Sequence, residues 1–181
     1  MGVRNYLIEG VSGAGKTTVA EELLRRGHHV IHGDRELSYR GDPATGKPVS
    51  EPAFKSEAEK LAWQHRHWIW CVDRVKSLIA DQHHAGTFFC GGARNSHAFV
   101  DLFDAVFVLD VDLDTLNKRL AVRPEDEFGG KPSERAFVRQ LHATREDIPE
   151  RGIAIDATAP VERVVDQILE CCRRVESAGR G

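Results

Sequence analysis

Residues 10–17 read Gly10-Val11-Ser12-Gly13-Ala14-Gly15-Lys16-Thr17, which matches the pattern GxxxxGK[ST] at every required position. The apolar run Tyr6-Leu7-Ile8 predicts a strand over Val3 to Glu9 before it, and a helical pattern follows from Gly15 to Arg26. In this context the glycines let backbone N–H groups curl around phosphate oxygens, and the helix N-terminus directs its positive dipole end at the same anion. The stretch therefore predicts a P-loop in an α/β fold.

The side chains of this loop suggest binding of ATP with Mg²⁺. Lys16 is expected to bridge the β- and γ-phosphates, and the Thr17 hydroxyl is expected to bind the metal. The predicted nucleotide-binding residues of this stretch are Gly10, Ser12, Gly13, Ala14, Gly15, Lys16, Thr17 and Thr18.

Bulk composition narrows the class of protein. The 181 residues suit a single domain, and a content of 41% hydrophobic and 29% charged residues is ordinary for a globular protein. The net charge of -3 offers no general attraction to nucleic acid. No apolar run approaches the ~20 residues of a membrane helix. Four cysteines without a CxxC pair, and nine histidines without zinc-finger spacing, favour a reduced cytoplasmic protein without structural zinc. The sequence does not decide between a monomer and a homodimer.

The remaining chain alternates strand and helix patterns, which predicts a mainly parallel sheet covered on both faces. Predicted strands follow at His29–His32, Thr87–Cys90, Ala105–Val111 and Ile153–Asp156. Predicted helices occupy Lys55–Ala80 with at most one break, His97–Phe103, Asp112 or Asp114 to Ala121, Ser133–Asp147 and Val161–Arg173. The end of the chain, from Glu176 to Gly181, is expected to fray.

This layout resembles the nucleoside monophosphate kinase group of P-loop proteins, and by pattern the shikimate and gluconate kinases. The resemblance covers most of the chain in element order, and four short stretches carry it at the level of residues. It implies a three-layer P-loop NTPase fold with a five-stranded parallel sheet in the order 2-3-1-4-5, a single domain over residues 1–181, and a short lid at about residues 122–132. It also implies transfer of the γ-phosphate of ATP to a hydroxyl of a small molecule.

The first stretch is His32-Gly33-Asp34. Kinases of the shikimate and gluconate type have an aspartate at this position, beside the acceptor hydroxyl and near the metal. A carboxylate there orients the hydroxyl and accepts its proton during transfer. The alternative is an aspartate that caps the next turn. Arg35 follows and is a candidate for holding an anionic group of the substrate.

The second stretch is Cys90-Gly91-Gly92-Ala93-Arg94-Asn95, which resembles the glycine turn of shikimate kinases. The resemblance implies that Gly91 and Gly92 approach the acceptor. Adenylate-type kinases have an arginine close to the place of Arg94, which implies that Arg94 clamps a carboxylate or phosphate. Cys90 departs from the pattern, because many P-loop enzymes have an acidic Walker B residue here. Asp110 ends another predicted strand and is interpreted as a strand-end or helix-capping residue.

The third and fourth stretches concern the lid and the adenine. Arg119 and Arg123 match lid arginines that stabilise charge on the transferring phosphoryl group, with Gly129-Gly130 as a hinge; Arg139 is a weaker candidate by the same analogy. The loop Asp156-Ala157-Thr158-Ala159-Pro160 matches the segment that packs on adenine, and Ala159 is the residue predicted to do so.

The acceptor is left open by the sequence. Trp63, Trp70 and Arg74 are either pocket residues for a planar ligand, such as a nucleoside, or members of the core. A nucleoside or nucleotide kinase is therefore the alternative within the enzymes, and a nucleotide-dependent regulatory or RNA-associated ATPase is the alternative outside metabolism. The guanine-reading motif NKxD is not completed by Asn117-Lys118-Arg119-Leu120, which lacks its aspartate.

Overall fold

The secondary structure comes from a computed structural model, which describes residues 3–149 and 151–178. The strands are β1 (Arg4–Glu9), β2 (His29–His32), β3 (Ser38–Arg40), β4 (Trp68–Trp70), β5 (Gly86–Cys90), β6 (Ala105–Asp110) and β7 (Ile153–Asp156). The helices are α1 (Lys16–Arg25), α2 (Gly33–Glu36), α3 (Glu57–Arg66), α4 (Val72–Ala80), α5 (Leu113–Ala121), α6 (Pro132–Thr144) and α7 (Val161–Ala178). Two 3₁₀ turns lie at Ser96–Ala98 and Val100–Leu102.

The central sheet has five strands in the order β2-β5-β1-β6-β7, and all its pairings are parallel. Numbered within this sheet alone, the order is 2-3-1-4-5, so the predicted fold class is confirmed. β1 lies in the middle, with Ile8 opposite Cys90 on one side and Phe107 on the other. Because the strands are parallel, their carboxyl ends share one edge of the sheet, where α/β proteins bind ligands.

Side-chain alternation along β1 divides the core into two clusters. Tyr6 and Ile8 pack with apolar residues of α1, α5, α6 and α7 on one face. Leu7 packs on the opposite face with Trp70, Phe89 and others. A strand buried on both faces requires such a continuous apolar run, which is why β1 reads Tyr6-Leu7-Ile8 without a polar interruption.

The segment Lys55–Ala80, predicted as helical with at most one break, contains a strand at its break. α3 ends at Arg66, β4 follows, and α4 begins at Val72. β4 pairs antiparallel with β3, and within it Ile69 and Trp70 are fully buried. Tertiary packing therefore overrides the helical periodicity, because aromatic and β-branched side chains suit a strand that is packed against the sheet.

Other boundaries differ by smaller amounts. The predicted helix His97–Phe103 consists of the two 3₁₀ turns, and α6 ends at Thr144, three residues short of the predicted Asp147. α7 continues to Ala178, beyond the predicted end at Arg173, and so includes Glu176, from which fraying was expected. Both ends of the predicted domain 1–181, including Gly179–Gly181, lie outside the described residues. Within the described chain, no helix combines the length and apolar character that a bilayer crossing requires.

Candidate nucleotide and acceptor site

The P-loop leaves the carboxyl end of β1 and leads directly into α1. Gly13 and Gly15 have φ angles of 87° and 107°, which side chains other than that of glycine rarely adopt. A Cβ atom added at Gly13 would lie 2.9 Å from a methyl carbon of Leu116. The loop can therefore curl over the end of the sheet only with glycine at these positions.

Lys16 turns its ammonium group back over this loop. Its Nζ donates to the carbonyl oxygens of Gly10 and Val11, at 2.5 and 3.2 Å. Burial lowers the pKa of Lys16, while the nearby carboxylates of Asp34 and Glu9 act in the opposite direction. The ammonium thus lies where the backbone N–H groups of the loop would receive a phosphate.

A cavity of about 550 Å³ lies in front of the loop. Its phosphate end is formed by residues 12–19, with Thr17 and Thr18 exposed, and by Asp34. Its opposite end is apolar and contains Ala157, Ala159, Pro160 and Val161. This division into a polar and an apolar end matches a nucleotide, whose phosphates are anionic and whose base is flat and largely apolar.

Arg119 connects the two ends of the cavity. Its guanidinium donates to the carbonyl of Ala14 in the P-loop at 2.8 Å and to that of Ala157 after β7 at 2.6 Å. The residue reaches this place because it lies in the last turn of α5, whose Leu116 and Leu120 are buried beneath the P-loop. In this structure Arg119 fixes the spacing of the two loops.

Arg123 lies in the predicted lid, which continues from α5 to α6. Its Nη1 donates to Ser12 Oγ at 3.0 Å and to the carbonyl of Phe128 at 2.8 Å. Gly130 is buried, and a Cβ atom added to it would lie 1.9 Å from the carbonyl oxygen of Pro124. The segment is thus folded tightly on itself, with one arginine touching the P-loop.

Asp34 lies in the first turn of α2, directly after β2, and its side chain is exposed to the cavity. Its Oδ1 accepts from the backbone N–H of Gly92 at 3.2 Å and from Trp68 Nε1 at 3.4 Å. The predicted acid and the predicted glycine turn are therefore in direct contact. Arg35, the next residue, is exposed on α2.

Trp70 explains why positions 33 and 91, on either side of this contact, are glycines. A Cβ atom added at Gly33 would lie 2.0 Å from the indole ring, and one added at Gly91 would lie 2.7 Å from it. Gly91 has a φ of 155° and would also bring its Cβ within 2.8 Å of Asp34 Oδ1. The buried indole thus sets how closely the turns after β2 and β5 approach each other.

Arg94 forms an ion pair inside the protein. Its Nη1 donates to Asp147 Oδ1, and the side chains of the pair are only 17% and 10% exposed. His65 Nε2 lies 2.7 Å from the same carboxylate. Burial opposes the charge on Asp147, but His65 and Arg94 outweigh that effect and lower its pKa. Asp147 therefore joins α3, the turn after β5 and the segment after α6.

Glu9, the last residue of β1, is a buried acid next to the P-loop. Its side chain is 2% exposed, and its Oε2 has no hydrogen-bond partner among the described residues. Burial raises the pKa of Glu9 to about 7, although Arg94 and Lys16 act to lower it. Oε1 would lie 3.5 Å from a Cβ atom added at Gly92. Glu9 thus lies next to the glycine turn as well as next to the P-loop.

Several other predicted residues lie outside this contact network. Cys90 is buried at the end of β5, and burial raises the pKa of its thiol. Asp110 ends β6 and pairs with Arg145 at 3.1 Å, while Asp112 caps α5. Arg139 donates to Asn117 at 2.7 Å, which links α6 to α5.

The aromatic stretch from Trp63 to Trp70 divides between core and site. Trp70 belongs to the core, and Trp63 packs on Phe54 and His67, with ring centroids 5.8 and 4.3 Å away. Trp68, which the sequence analysis did not select, is the tryptophan that contacts Asp34. Arg74 is exposed on α4.

Sequence reasoning also missed Glu9 and Asp147. Glu9 carried a signal, since a charged residue at the end of an otherwise apolar strand needs a partner or a function. Asp147 carried none, because it follows a helix end and lies more than fifty positions away from Arg94 along the chain. Only the packing of α6 against α3 brings it to the turn after β5.

Comparison with known proteins agrees with this geometry. The profile of a family described as an AAA domain matches residues 7–139, which include the P-loop, Asp34, the glycine turn and the lid arginines. A search among curated protein sequences finds no match.

Solved structures share the fold at low sequence identity. A gluconokinase from Sinorhizobium meliloti 1021 superposes with a TM-score of 0.56 at 20% identity, over 97% of this chain and 95% of that one. A shikimate kinase from Bacteroides thetaiotaomicron gives 0.59 at 16%, over 94% and 98%. A deoxyadenosine kinase from M. mycoides with bound dATP gives 0.55 at 17%, over 93% and 99%. At these identities the likeness concerns the fold alone.

Proposed function

We propose, from the premise that the chain belongs to the AAA domain family of P-loop proteins, that it transfers the γ-phosphate of ATP to a hydroxyl of a small molecule. The observation that carries the proposal is the position of Asp34. This carboxylate lines the same cavity as Lys16 and Thr17, and the Gly92 N–H binds one of its oxygens. A carboxylate held in this direction beside the phosphate site can take the proton of a hydroxyl that attacks the γ-phosphate.

In this proposal each end of the cavity has one task. The P-loop N–H groups and Lys16 hold the phosphates, and the apolar end near Ala159 and Pro160 receives the adenine. Arg119 keeps the two loops at a fixed spacing through its bonds to Ala14 and Ala157. Positioning of this kind contributes much of the catalysis in phosphoryl transfer, because the protein itself does little covalent chemistry.

Asp34 acts on the acceptor. Its Oδ1 is occupied by Gly92 N–H and Trp68 Nε1, which leaves the carboxylate fixed in direction. An acceptor hydroxyl that donates to this carboxylate is oriented towards the γ-phosphate and loses its proton to Asp34 as the new P–O bond forms and the bond to ADP breaks. Arg123, which already touches Ser12, adds a positive charge on the phosphate side.

The residues present also fit Mg²⁺. Thr17 offers a hydroxyl and Asp34 a carboxylate at one cavity, and Mg²⁺ prefers such oxygen ligands together with phosphate oxygens and water. Thr17 would hold the ion directly, and Asp34 would act through bound water. When bound with ATP, Mg²⁺ neutralises charge on the phosphates. Cys90 is a thiol where many P-loop enzymes have a Walker B carboxylate, so Thr17 and Asp34 are the protein groups that we propose for the metal.

The test is a screen for phosphorylated product. The chain is incubated with ATP and Mg²⁺ and with nucleosides, sugars, sugar acids or cyclohexene acids, and each product is identified by its mass. We expect one class of acceptor to gain a phosphoryl group, with Lys16→Ala as the inactive control. ATP hydrolysis that no acceptor accelerates, without a phosphorylated product, would reject the proposal in favour of a regulatory ATPase.

A further inference from the structure

Three carboxyl groups and one guanidinium surround the turn after β5. The carboxyl groups belong to Glu9, Asp34 and Asp147, which all lie around this turn. Among the described residues that contact the turn, Arg94 supplies the guanidinium. Asp34 accepts from the N–H of Gly92, and Glu9 Oε1 lies 3.5 Å from a Cβ atom added at the same glycine. Burial raises the pKa of Glu9 to about 7, so this acid carries only part of a negative charge near neutral pH. Lys16 is nearby, but the P-loop carbonyls hold its ammonium on the nucleotide side.

Asp147 neutralises the charge that Arg94 could offer an acceptor. The Nη1 of Arg94 is bound to Asp147 within a pair that is largely buried, so an anionic acceptor that takes the whole guanidinium would have to displace Asp147. Nη2 lies at the turn, 3.5 Å from a Cβ atom added at Gly92. Displacement would leave the Asp147 carboxylate beside His65, with the Arg94 charge removed from it and with little access to solvent. Leaving a buried charge without its partner is strongly unfavourable.

The other arginines near the turn do not supply an acceptor with the positive charge that Arg94 shares with Asp147. Arg40 stacks over Trp68, with Cζ 4.8 Å from the ring centroid, and donates to the carbonyl of Gln64. Arg35 is exposed on α2, where water screens its charge. An acceptor at Asp34 therefore meets carboxylates first.

We propose that the acceptor carries no carboxylate or phosphate: it is an uncharged or amine-bearing hydroxyl compound, and Asp147 is the residue that sets this specificity by neutralising Arg94. The inference rests on the proposed function and narrows its substrate class. Like charges at a few ångströms repel in a partly buried site, whereas hydroxyl and amine donors form strong hydrogen bonds to carboxylates. It replaces the expectation that Arg94 clamps an anion.

The first test uses the unmodified chain and matched acceptors. Glucose is compared with gluconate, and adenosine with adenosine 5′-monophosphate, because each pair differs in the anionic group. We expect kcat/KM for the uncharged member to be higher by at least ~10-fold. In parallel, small molecules from a cell extract are separated on an anion exchanger, and each fraction is incubated with ATP labelled at the γ-phosphate. Label should enter the unretained fraction.

The outcomes separate the two proposals. Label that enters only the retained fraction, or an anionic member that is preferred within a pair, overturns the inference and leaves the kinase function standing. ATP hydrolysis with no labelled product in either fraction overturns the kinase function, and the inference with it. Within the unretained fraction, a cation exchanger distinguishes amine-bearing from uncharged acceptors.

Asp147→Asn tests the residue itself. Freed from its partner, Arg94 should accept anions, so the ratio of kcat/KM for the anionic over the uncharged acceptor should rise by ~10-fold. Glu21→Gln, at an exposed acid on α1 that does not line the cavity, should leave the ratio unchanged. The double variant Arg94→Gln/Asp147→Asn restores a neutral pair and should return the ratio to its original value. An unchanged ratio in folded Asp147→Asn overturns the role of Asp147; if that variant does not fold, the matched acceptors and the double variant decide.

Discussion

Among single residues, Asp34 is the most informative to change. Asp34→Asn keeps the size of the side chain and its acceptor oxygen for Gly92 N–H but cannot take a proton. General-base assistance contributes ~10²–10⁴-fold, so kcat should fall by that range while ATP affinity stays nearly constant. Steady-state kinetics and nucleotide titration measure the two effects separately. The control is Asp101→Asn, at an exposed position at the other end of the sheet. Full activity of Asp34→Asn would show that Asp34 only shapes the turn and takes no part in catalysis.

Glu9 makes a second prediction, on stability against pH. Its pKa is about 7 in the folded protein and 4.5 in the unfolded reference. Between these values the folded state retains a proton that the unfolded state releases, so this residue's contribution to the free energy of unfolding falls as pH rises from 4.5 to 7. The full fall is about 3 kcal/mol.

Glu9→Gln removes this titration. Relative to the unchanged protein, the variant should therefore gain up to about 3 kcal/mol between pH 4.5 and pH 8. Urea unfolding of both proteins at these two pH values measures the gain. Glu21→Gln, at an exposed position on α1, should show none. Parallel pH curves for Glu9→Gln and the unchanged protein would show that Glu9 ionises as easily as in the unfolded chain.

At the scale of elements, the hairpin of β3 and β4 holds the site together through Trp70. Gly33→Ala would drive a methyl group into the indole ring, since the added Cβ lies 2.0 Å from it. Overpacking of a buried contact typically costs 1–3 kcal/mol, so the free energy of unfolding should fall by about that amount. At Gly86 the nearest atom to an added Cβ is 3.8 Å away, and Gly86→Ala should be nearly neutral. Equal unfolding midpoints for both variants would contradict this account of the turn.

The lid makes the second prediction at this scale. Arg123 reaches Ser12 from the segment between α5 and α6. If its charge acts on the transferring phosphoryl group, Arg123→Ala should lower kcat by ~10-fold or more and raise KM for ATP much less. Arg173→Ala, on the exposed face of α7, provides a control with the same change of charge. A loss confined to KM for ATP would identify Arg123 as a residue that binds the ground state.

For the whole molecule, nucleotide binding should appear as added stability. The cavity joins loops that follow β1, β2 and β7, so ATP contacts elements across the sheet. A ligand at 100 times its dissociation constant adds about 2.7 kcal/mol, which thermal unfolding with and without ATP and Mg²⁺ detects as a higher Tm. Lys16→Ala should lose most of this increase while its Tm without ATP changes little. Lys76→Ala, exposed on α4, should keep the increase; an undiminished shift in Lys16→Ala would remove Lys16 from phosphate binding.

The sequence by itself determined the central architecture. The pattern from Tyr6 to Thr17 contains a buried strand, a turn that requires glycine and the first turn of a helix, and each of these follows from local stereochemistry and hydrophobic periodicity. The same local rules placed β2 and β7 at their observed bounds. Asp34 was also predicted, through the resemblance of His32-Gly33-Asp34 to kinases of the shikimate and gluconate type, and the structure puts it at the P-loop cavity.

Only the tertiary structure decided the charge and shape of the acceptor side. Trp70 is a core residue and Trp68 a site residue because β4 pairs with β3, a choice that helical and strand periodicity left ambiguous over Lys55–Ala80. Arg94 is neutralised because α6 packs against α3 and brings Asp147 to it from a distant part of the chain. Local patterns specify elements, but ion pairs between residues far apart in sequence depend on how those elements pack, and so the identity of the acceptor depends on the fold as a whole.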